Sequence, residues 1–263
     1  MEEVLLYFAL KYRGDFHAIM QAVQNKEEVN QDEAMALKAK LHSNYVTILS
    51  PHYPSALKNI QCPPFVLFYY GHIELLNEPS IGVIGMRHPS DYGLYATNHL
   101  VKGLVEHHLT IVSGMAIGID GASHRAAMRY HGHTVAVLGG GIDYIYPKSN
   151  TDIYDVMKHE HLIISEIPFD QMPRRIDFPK RNRIIAGLSS SLLVVEAQEK
   201  SGTMITVGCA LEQGKDVFAI PGRIYDHGGC NKLIDQGAKL VMKVEDIIEE
   251  PELKAETGNK KTN

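Results

Sequence analysis

The sequence predicts an α/β fold: an extended Rossmann-like parallel sheet with helices on both faces, preceded by a small helical N-terminal module. From residue 81 to residue 220, short apolar runs alternate with segments of helical period. Strand and helix in turn produce a parallel sheet covered on both faces, and ligands bind outside the carboxyl ends of its strands. A hydrophobic content of 44% over 263 residues is sufficient for one large core with a small appendage.

Residues 1–44 are the predicted helical module. Apolar residues recur there at helical spacing in three segments, and Asp15 and Asn30 stand where helix N-caps belong. A module of this size requires a larger body to pack against. The pattern by itself assigns the module no function.

Residues 45–250 are the predicted Rossmann-like domain, and the polar residues 251–263 are predicted to be disordered. Two extra strands, at 46–49 and 65–70, join the main sheet. The alternating strands are expected at 81–85, 110–112, 134–138, 162–164, 192–195 and 216–220. The helices between them are expected at 92–106, 121–130, 152–158 and 203–213.

Charge and cysteine content narrow the function classes. The net charge of -5 argues against a generally basic surface, so nucleic-acid binding requires a concentrated patch. Three widely spaced cysteines indicate neither a disulfide framework nor a zinc site. The sequence shows neither a leader peptide nor an apolar run that could cross a bilayer, so we expect a cytoplasmic protein without membrane association.

A concentrated basic patch lies at residues 174–183, which carry five cations and one carboxylate. We expect this segment to be a cationic loop, followed by a short helical turn at 184–189 and the buried strand 192–195. Residues 201–203, Ser-Gly-Thr, then open a helix whose first amides point beyond the carboxyl end of the strand. A cationic loop beside a hydroxyl-rich helix start suits a polyanion.

Other strands also end in glycine, hydroxyl or cationic residues, among them Arg87, Ser113 and Gly114, and one crevice is expected to collect them. The dinucleotide fingerprint GxGxxG and the Walker pattern are absent, which argues against NAD chemistry and ATP hydrolysis. Asp120 and His124 lie four residues apart and could do acid–base or metal chemistry. An N-cap aspartate with a loop-ordering histidine is favoured. No cofactor or metal is predicted.

A series of ordered motifs runs through residues 45–243. They are Tyr53-Pro54, Ile84-Gly85-Met86-Arg87, residues 113–120 with His124, Gly141-Ile142-Asp143 with Tyr146-Pro147, Ser165-Glu166, residues 178–189, Val195-Glu196-Ala197, residues 201–203 and Pro221-Gly222. Together they resemble the DprA/Smf family, the DNA-processing protein A of bacteria. Met86 stands where that family usually has serine.

The resemblance implies a dimeric single-stranded DNA-binding protein that protects incoming DNA and loads the RecA recombinase during natural transformation. It implies no catalytic reaction. By motif position, with two further cations of the basic patch, the DNA-contacting set is expected to be Arg87, Ser113, Gly114, Arg174, Arg175, Lys180, Arg181, Asn182, Arg183, Ser201, Gly202 and Thr203. Arg181 and Arg183 would grip phosphate oxygens, and Lys180 would add attraction.

Two other functions remain open at this point. A Rossmann-like nucleoside monophosphate phosphoribohydrolase of the LOG type also carries a Gly-Thr turn at a helix start, but the position of its glutamate is occupied here by Thr206. A scaffold that binds only proteins would treat the basic patch as a solvated loop. Phe178 could stack on a base or simply anchor its loop.

Overall fold

A computed structural model describes residues 1–223 and 228–249 of the chain, and within them nine strands form one sheet. The strands are β1 (Asn44–Thr47), β2 (Val66–Gly71), β3 (Ser80–Ile84), β4 (Thr110–Ser113), β5 (Thr134–Val137), β6 (Leu162–Ser165), β7 (Ser191–Val194), β8 (Asp216–Ala219) and β9 (Lys239–Leu240). Their order across the sheet is β1-β2-β6-β5-β4-β3-β7-β8-β9. Strand β2 runs antiparallel to both of its neighbours, and all other pairs are parallel.

Helices precede and separate the strands, so the predicted fold class is confirmed. They are α1 (Glu2–Lys11), α2 (Phe16–Gln24), α3 (Gln31–Lys38), α4 (Ser55–Lys58), α5 (Asp91–Glu106), α6 (Ile119–Arg129), α7 (Thr151–Glu160), α8 (Asp177–Leu188), α9 (Gly202–Glu212), α10 (Gly229–Asp235) and α11 (Glu245–Ile248). None of the helices in the described residues has the length and apolarity of a membrane span. The predicted disorder of 251–263 lies outside the described residues.

The central strands are buried on both faces, which explains their continuous apolar sequences. In β7, Leu192 and Val194 join a core cluster with residues of α4, α8, α9 and α10. The intervening Leu193, with Val195 just beyond the strand, faces the opposite cluster, which includes residues of α5 and α6. Because successive side chains of a strand point to opposite faces, a strand covered on both sides must be apolar at every position.

The N-terminal module packs on the face of the sheet that α7 also covers. Buried side chains of α1, including Leu6 and Phe8, share a cluster with Phe68 of β2. Both predicted N-caps are confirmed: a carboxylate oxygen of Asp15 accepts from the Ala18 amide, and the Asn30 side chain accepts from the Glu33 amide, each at 3.1 Å. The module therefore buries its apolar faces against the larger body, as its size requires.

The expectation of a cationic loop at the basic patch is wrong, because α8 begins at Asp177. The loop ends where Asp177 accepts hydrogen bonds from both the backbone amide and the guanidinium of Arg174. Pro179 falls in the first helical turn, where its missing amide hydrogen costs no helix bond. The three cations that follow Pro179 are thus held on a rigid helix with defined directions.

Helix α6 carries a histidine that has no access to water. His124 is 0% exposed, and its Nδ1 lies 2.7 Å from the Thr134 hydroxyl. That hydroxyl donates its hydrogen to the Ile111 carbonyl, so Nδ1 must be the protonated nitrogen of the ring. Nε2 has no partner among the described residues, and burial lowers the pKa of His124 to about 3.

Replacing His124 with Gln is expected to flatten the acid limb of the stability curve. Since the folded-state pKa is depressed, the unfolded chain binds a proton that the folded chain refuses between pH 6.5 and about 3. This one group therefore removes up to about 1.4 kcal/mol of stability per pH unit as the pH falls through that window. Urea unfolding across this window measures the slope.

The matched control replaces the exposed His131 with Gln and should retain the wild-type slope. An equally steep acid limb in the His124 variant would show that the buried ring is protonated in the folded protein.

Candidate nucleic-acid interface

A groove of about 480 Å³ lies at the carboxyl ends of β3 and β7. Its walls are residues 85–88 after β3, the first turns of α8, and residues 198–206 at the start of α9. This is the crevice that a parallel sheet is expected to offer to a ligand. We call it the groove.

An exposed cation and two aromatic rings form one end of the groove and the small pocket beside it. The guanidinium carbon of Arg87 lies 5.5 Å from the centroid of the Phe178 ring. The rings of Phe178 and Tyr146 are 6.0 Å apart. Gly139 lies behind Phe178, and a Cβ there would come within 2.9 Å of its ring. We call Arg87, Tyr146 and Phe178 the platform, since a planar ligand can stack on such rings.

The helix start of α9 supplies backbone donors to the groove. The Ser201 hydroxyl donates to the Gln198 carbonyl and the Thr203 hydroxyl to the Gly85 carbonyl, so both are occupied as donors. Asn182 donates weakly to the Gly202 carbonyl at 3.4 Å and holds α8 beside α9. The amides of Gly202 and Thr203, the first two of α9, have no acceptor within the helix and lie at its positive dipole end. Residues 201–203 and Asn182 are thus brought together, as the sequence predicts.

Arg181 is not placed to grip a phosphate, contrary to the expectation. It is only 8% exposed, and its guanidinium donates to the carbonyls of Gly114, directly after β4, and of Val137, the last residue of β5. Burial lowers the pKa of Arg181 to about 10, although the nearby Asp120 favours the charged form. The side chain connects α8 to the ends of two strands, and its guanidinium is occupied by these buried contacts.

Gly114 and Asp120 complete the surroundings of Arg181. A Cβ on Gly114 would lie 2.6 Å from an oxygen of Asp120 and 2.7 Å from the Arg181 guanidinium, so only glycine fits between them. Asp120 is the second residue of α6, and the helix N-cap is Gly118, so the expected aspartate cap is wrong. Burial raises the pKa of Asp120, which Arg181 opposes.

Ser113 is also withdrawn from the groove. Its side chain is completely buried, and the hydroxyl donates to the Val83 carbonyl of the neighbouring strand at 2.7 Å. The hydroxyl is therefore used within the sheet, and the structure does not place it where a ligand could reach it.

Arg183 faces away from the groove, on the other side of α8. Its guanidinium donates to both oxygens of Glu166 at 2.7 and 2.9 Å and to the Cys62 carbonyl at 2.7 and 3.0 Å. A fifth bond reaches the Lys180 carbonyl. Arg183 thus does not line the groove with Arg87, and the expectation that both arginines contact one strand stays a prediction.

The remaining cations of the basic patch are exposed. Arg174 pairs with Asp177 in the loop before α8, and Lys180 pairs with Asp15 of the N-terminal module at 2.9 Å. Arg175 forms no ion pair with any described residue. These three lie outside the groove. The groove instead contains Lys200, an exposed cation that was not among the expected DNA contacts. Its position directly before the Ser-Gly-Thr turn was the available signal.

Metal chemistry finds no support in the described residues, where no three His, Cys, Asp or Glu side chains are grouped to hold an ion. Asp120 and His124, which the sequence places four residues apart, have separate environments. Asp120 lines the groove, and His124 lies in the interior on Thr134.

Residues 44–252 match the family model of DNA recombination-mediator protein A. The chain belongs to this family. It is 47% identical over 210 residues to the DNA processing protein DprA of Bacillus subtilis, covering 79% of this chain and 71% of that protein. The DprA of Streptococcus pneumoniae is 45% identical over 206 residues, covering 78% and 73%. The resemblance found in the sequence motifs is therefore confirmed.

Solved structures of family members share the fold. The X-ray structure of Streptococcus pneumoniae DprA superposes with a TM-score of 0.81 at 37% identity, covering 95% of this chain and 93% of that one. The Helicobacter pylori DprA structure, which concerns the single-stranded DNA binding mode of that protein, gives 0.72 at 30% identity over 79% and 95%. The family fold thus extends over nearly the whole chain.

Removing the Arg181 side chain is expected to destabilise the protein. An Arg181→Met variant leaves two strand-end carbonyls and Asp120 without their buried partner, which costs about 3–5 kcal/mol. Arg87→Gln, on an exposed side chain, should change stability by less than about 0.5 kcal/mol. Urea unfolding of both variants measures the difference, and similar values would contradict the structural role of Arg181.

Proposed function

We propose that the groove binds single-stranded DNA. The observation that carries the proposal is the arrangement of three complementary parts in one groove: the exposed Arg87 and Lys200, the first amides of α9, and the aromatic rings of the platform. Family membership supports it, because a family member from Helicobacter pylori has a structurally described single-stranded DNA binding mode. The overall charge of -5 is overcome locally by concentrating cations and helix-end amides.

The parts of the groove match the parts of a nucleotide. The amides at the start of α9 and the forked guanidinium of Arg87 suit phosphate oxygens, which carry the negative charge. Phe178 and Tyr146 offer faces to a base. Stacking accepts any base, so we expect little sequence preference. The preference for an unpaired strand follows, because the faces of a base in a duplex are already covered by its neighbours.

Arg87→Gln is expected to weaken binding to oligonucleotides of any sequence and to reduce the salt slope by about 0.7 for the lost phosphate contact. Phe178→Leu should weaken binding through lost stacking, worth about 1–3 kcal/mol per base, without changing the slope. Fluorescence anisotropy with labelled oligothymidylate at several salt concentrations separates the two effects.

The matched control is Arg129→Gln, which removes an exposed cation from the far end of α6. Its affinity should remain close to that of the wild type. Unchanged affinity and slope in a folded Arg87→Gln variant would reject the groove as the DNA site, as would equal affinity for a duplex of the same sequence.

The phosphoribohydrolase alternative lacks a suitably placed carboxylate. Among the described residues that line the groove, Asp120 is the one carboxylate, and it is buried on the Ala116 amide and beside Arg181. At the position of the glutamate, Thr206 lies 3% exposed. The groove therefore favours binding over hydrolysis. Release of free base from nucleoside monophosphates would reverse this conclusion.

The wider role that we propose rests on the family resemblance. A cytoplasmic homodimer would protect incoming DNA and deliver it to the RecA recombinase during natural transformation. Sedimentation of the protein measures dimer formation. The rate of RecA assembly on oligonucleotide, with and without the protein, measures delivery.

A further inference from the structure

A second cavity, of about 170 Å³, lies between the N-terminal module and the Rossmann-like body. We call it the inter-module cleft. One wall is the turn that contains Arg13, together with Phe16 and His17 at the start of α2. The other wall includes Leu138 and the side of α8 that carries Lys180. Its volume is sufficient for several water molecules, which occupy about 30 Å³ each in the liquid. The groove and the platform account for none of these module residues.

The cleft is preformed, because the module is fixed to the body at its base. Gly14 has φ +73°, and a Cβ there would come within 2.0 Å of the Glu166 carbonyl, so the two backbones are in direct contact. The rings of Phe16 and Phe65 are stacked, with centroids 5.1 Å apart and planes 9° apart. Little ordering entropy would be lost when a ligand enters.

At the mouth of the cleft, several guanidinium nitrogens have no hydrogen-bond partner among the described residues. Arg13 uses its Nε on the neutral side chain of Gln171, which leaves both terminal nitrogens without a partner among the described residues. Arg174 bonds Asp177 through Nε and one terminal nitrogen, and its other terminal nitrogen has no such partner. A phosphate could accept from these groups without breaking an ion pair.

Apolar side chains of Phe16, Leu138, Ile167 and Ile184 line the cleft. Three carboxylates also line it, and each is paired with a cation: Asp15 with Lys180, Glu166 with Arg183 and Asp177 with Arg174. Apolar walls beside guanidinium nitrogens that are free to donate complement a nucleotide, whose base is flat and weakly polar and whose phosphate is charged. An inorganic anion alone would leave the apolar walls unused.

The cleft lies next to the groove, with the small pocket at the platform between them. Leu138, Gly139 and Arg181 line both the cleft and the small pocket at the platform. That pocket shares Arg87 and Phe178 with the groove. A strand that leaves the platform therefore meets the cleft next.

We propose that the inter-module cleft is a second binding site for the same unpaired strand, so that the N-terminal module takes part directly in DNA binding. A base lies against Phe16, and the adjoining phosphate accepts from Arg13 and Arg174. The proposal rests on the proposed function of the groove. It assigns the module a role that its sequence pattern did not indicate.

The test compares Arg13→Asn with Lys26→Asn over a series of oligothymidylate lengths. Both cations are exposed residues of the module at positive φ, 57° and 51°, a conformation that asparagine tolerates. Each variant removes the same charge, but only Arg13 lies on the cleft. We expect Arg13→Asn to reduce the affinity for strands long enough to reach the cleft by about 5- to 10-fold, the value of one hydrogen bond, and to leave the shortest strands unaffected.

The outcomes distinguish the two proposals. If Arg13→Asn behaves like Lys26→Asn at every length, the cleft is not a DNA site, whatever the groove does. If Arg87→Gln leaves the binding of the shortest strands intact, the groove assignment fails instead. A long oligothymidylate with a single photoreactive 4-thiothymidine at successive positions gives a measurement without any variant. Crosslinks to the peptide around residues 13–17 support the cleft, and their absence at every position overturns it.

Discussion

The edge of the sheet that carries the groove depends on one interaction, the hydrogen bonds of Arg181 to the ends of β4 and β5. Helix α8 follows a long loop, and its apolar packing on the sheet would by itself permit sliding. A planar guanidinium that donates to two carbonyls from adjacent strands fixes both the position and the rotation of the helix. Gly114 provides the space for this contact, and Asp120 balances the charge.

Once α8 is fixed, its helical period distributes the basic patch over different surfaces. Phe178 and Asn182 are four residues apart and both line the groove. Lys180 and Arg183, three apart, instead both line the inter-module cleft. Arg181 points between them into the sheet. The basic patch is one block of charge in the sequence. In the fold, its side chains are divided among a ligand surface, an ion-paired contact and a buried contact.

This division explains what could and could not be predicted from the sequence. The strands were predictable because burial on both faces requires apolar residues at every position, as in β7. β9 was missed because its two residues, Lys239 and Leu240, carry no such pattern. The roles of Arg181 and Arg183 were missed for another reason. Sequence shows where cations stand but not which carbonyls and carboxylates, such as Glu166, the fold brings to them.

The candidate site was predicted in outline. Arg87 and residues 201–203 were correctly brought to one groove, because parallel strands deliver their carboxyl ends to the same edge. Ser113 belongs to the same pattern, yet its hydroxyl is consumed by a neighbouring strand. A change of one residue in the length of a strand reverses the direction of its last side chain. The periodicity of the sequence does not fix strand ends to one residue.

The reversed direction of β2 has a consequence for the architecture of the chain. Phe68 of β2 pairs with Ser165 at the carboxyl end of β6, so β2 begins at the edge where the parallel strands finish. Phe65, just before β2, then meets Phe16 at that same edge. Had β2 been parallel, it would have begun at the opposite end of the sheet, and the N-terminal module would have been anchored there. The antiparallel direction of β2 thus places the N-terminal module next to the binding edge without an additional linker.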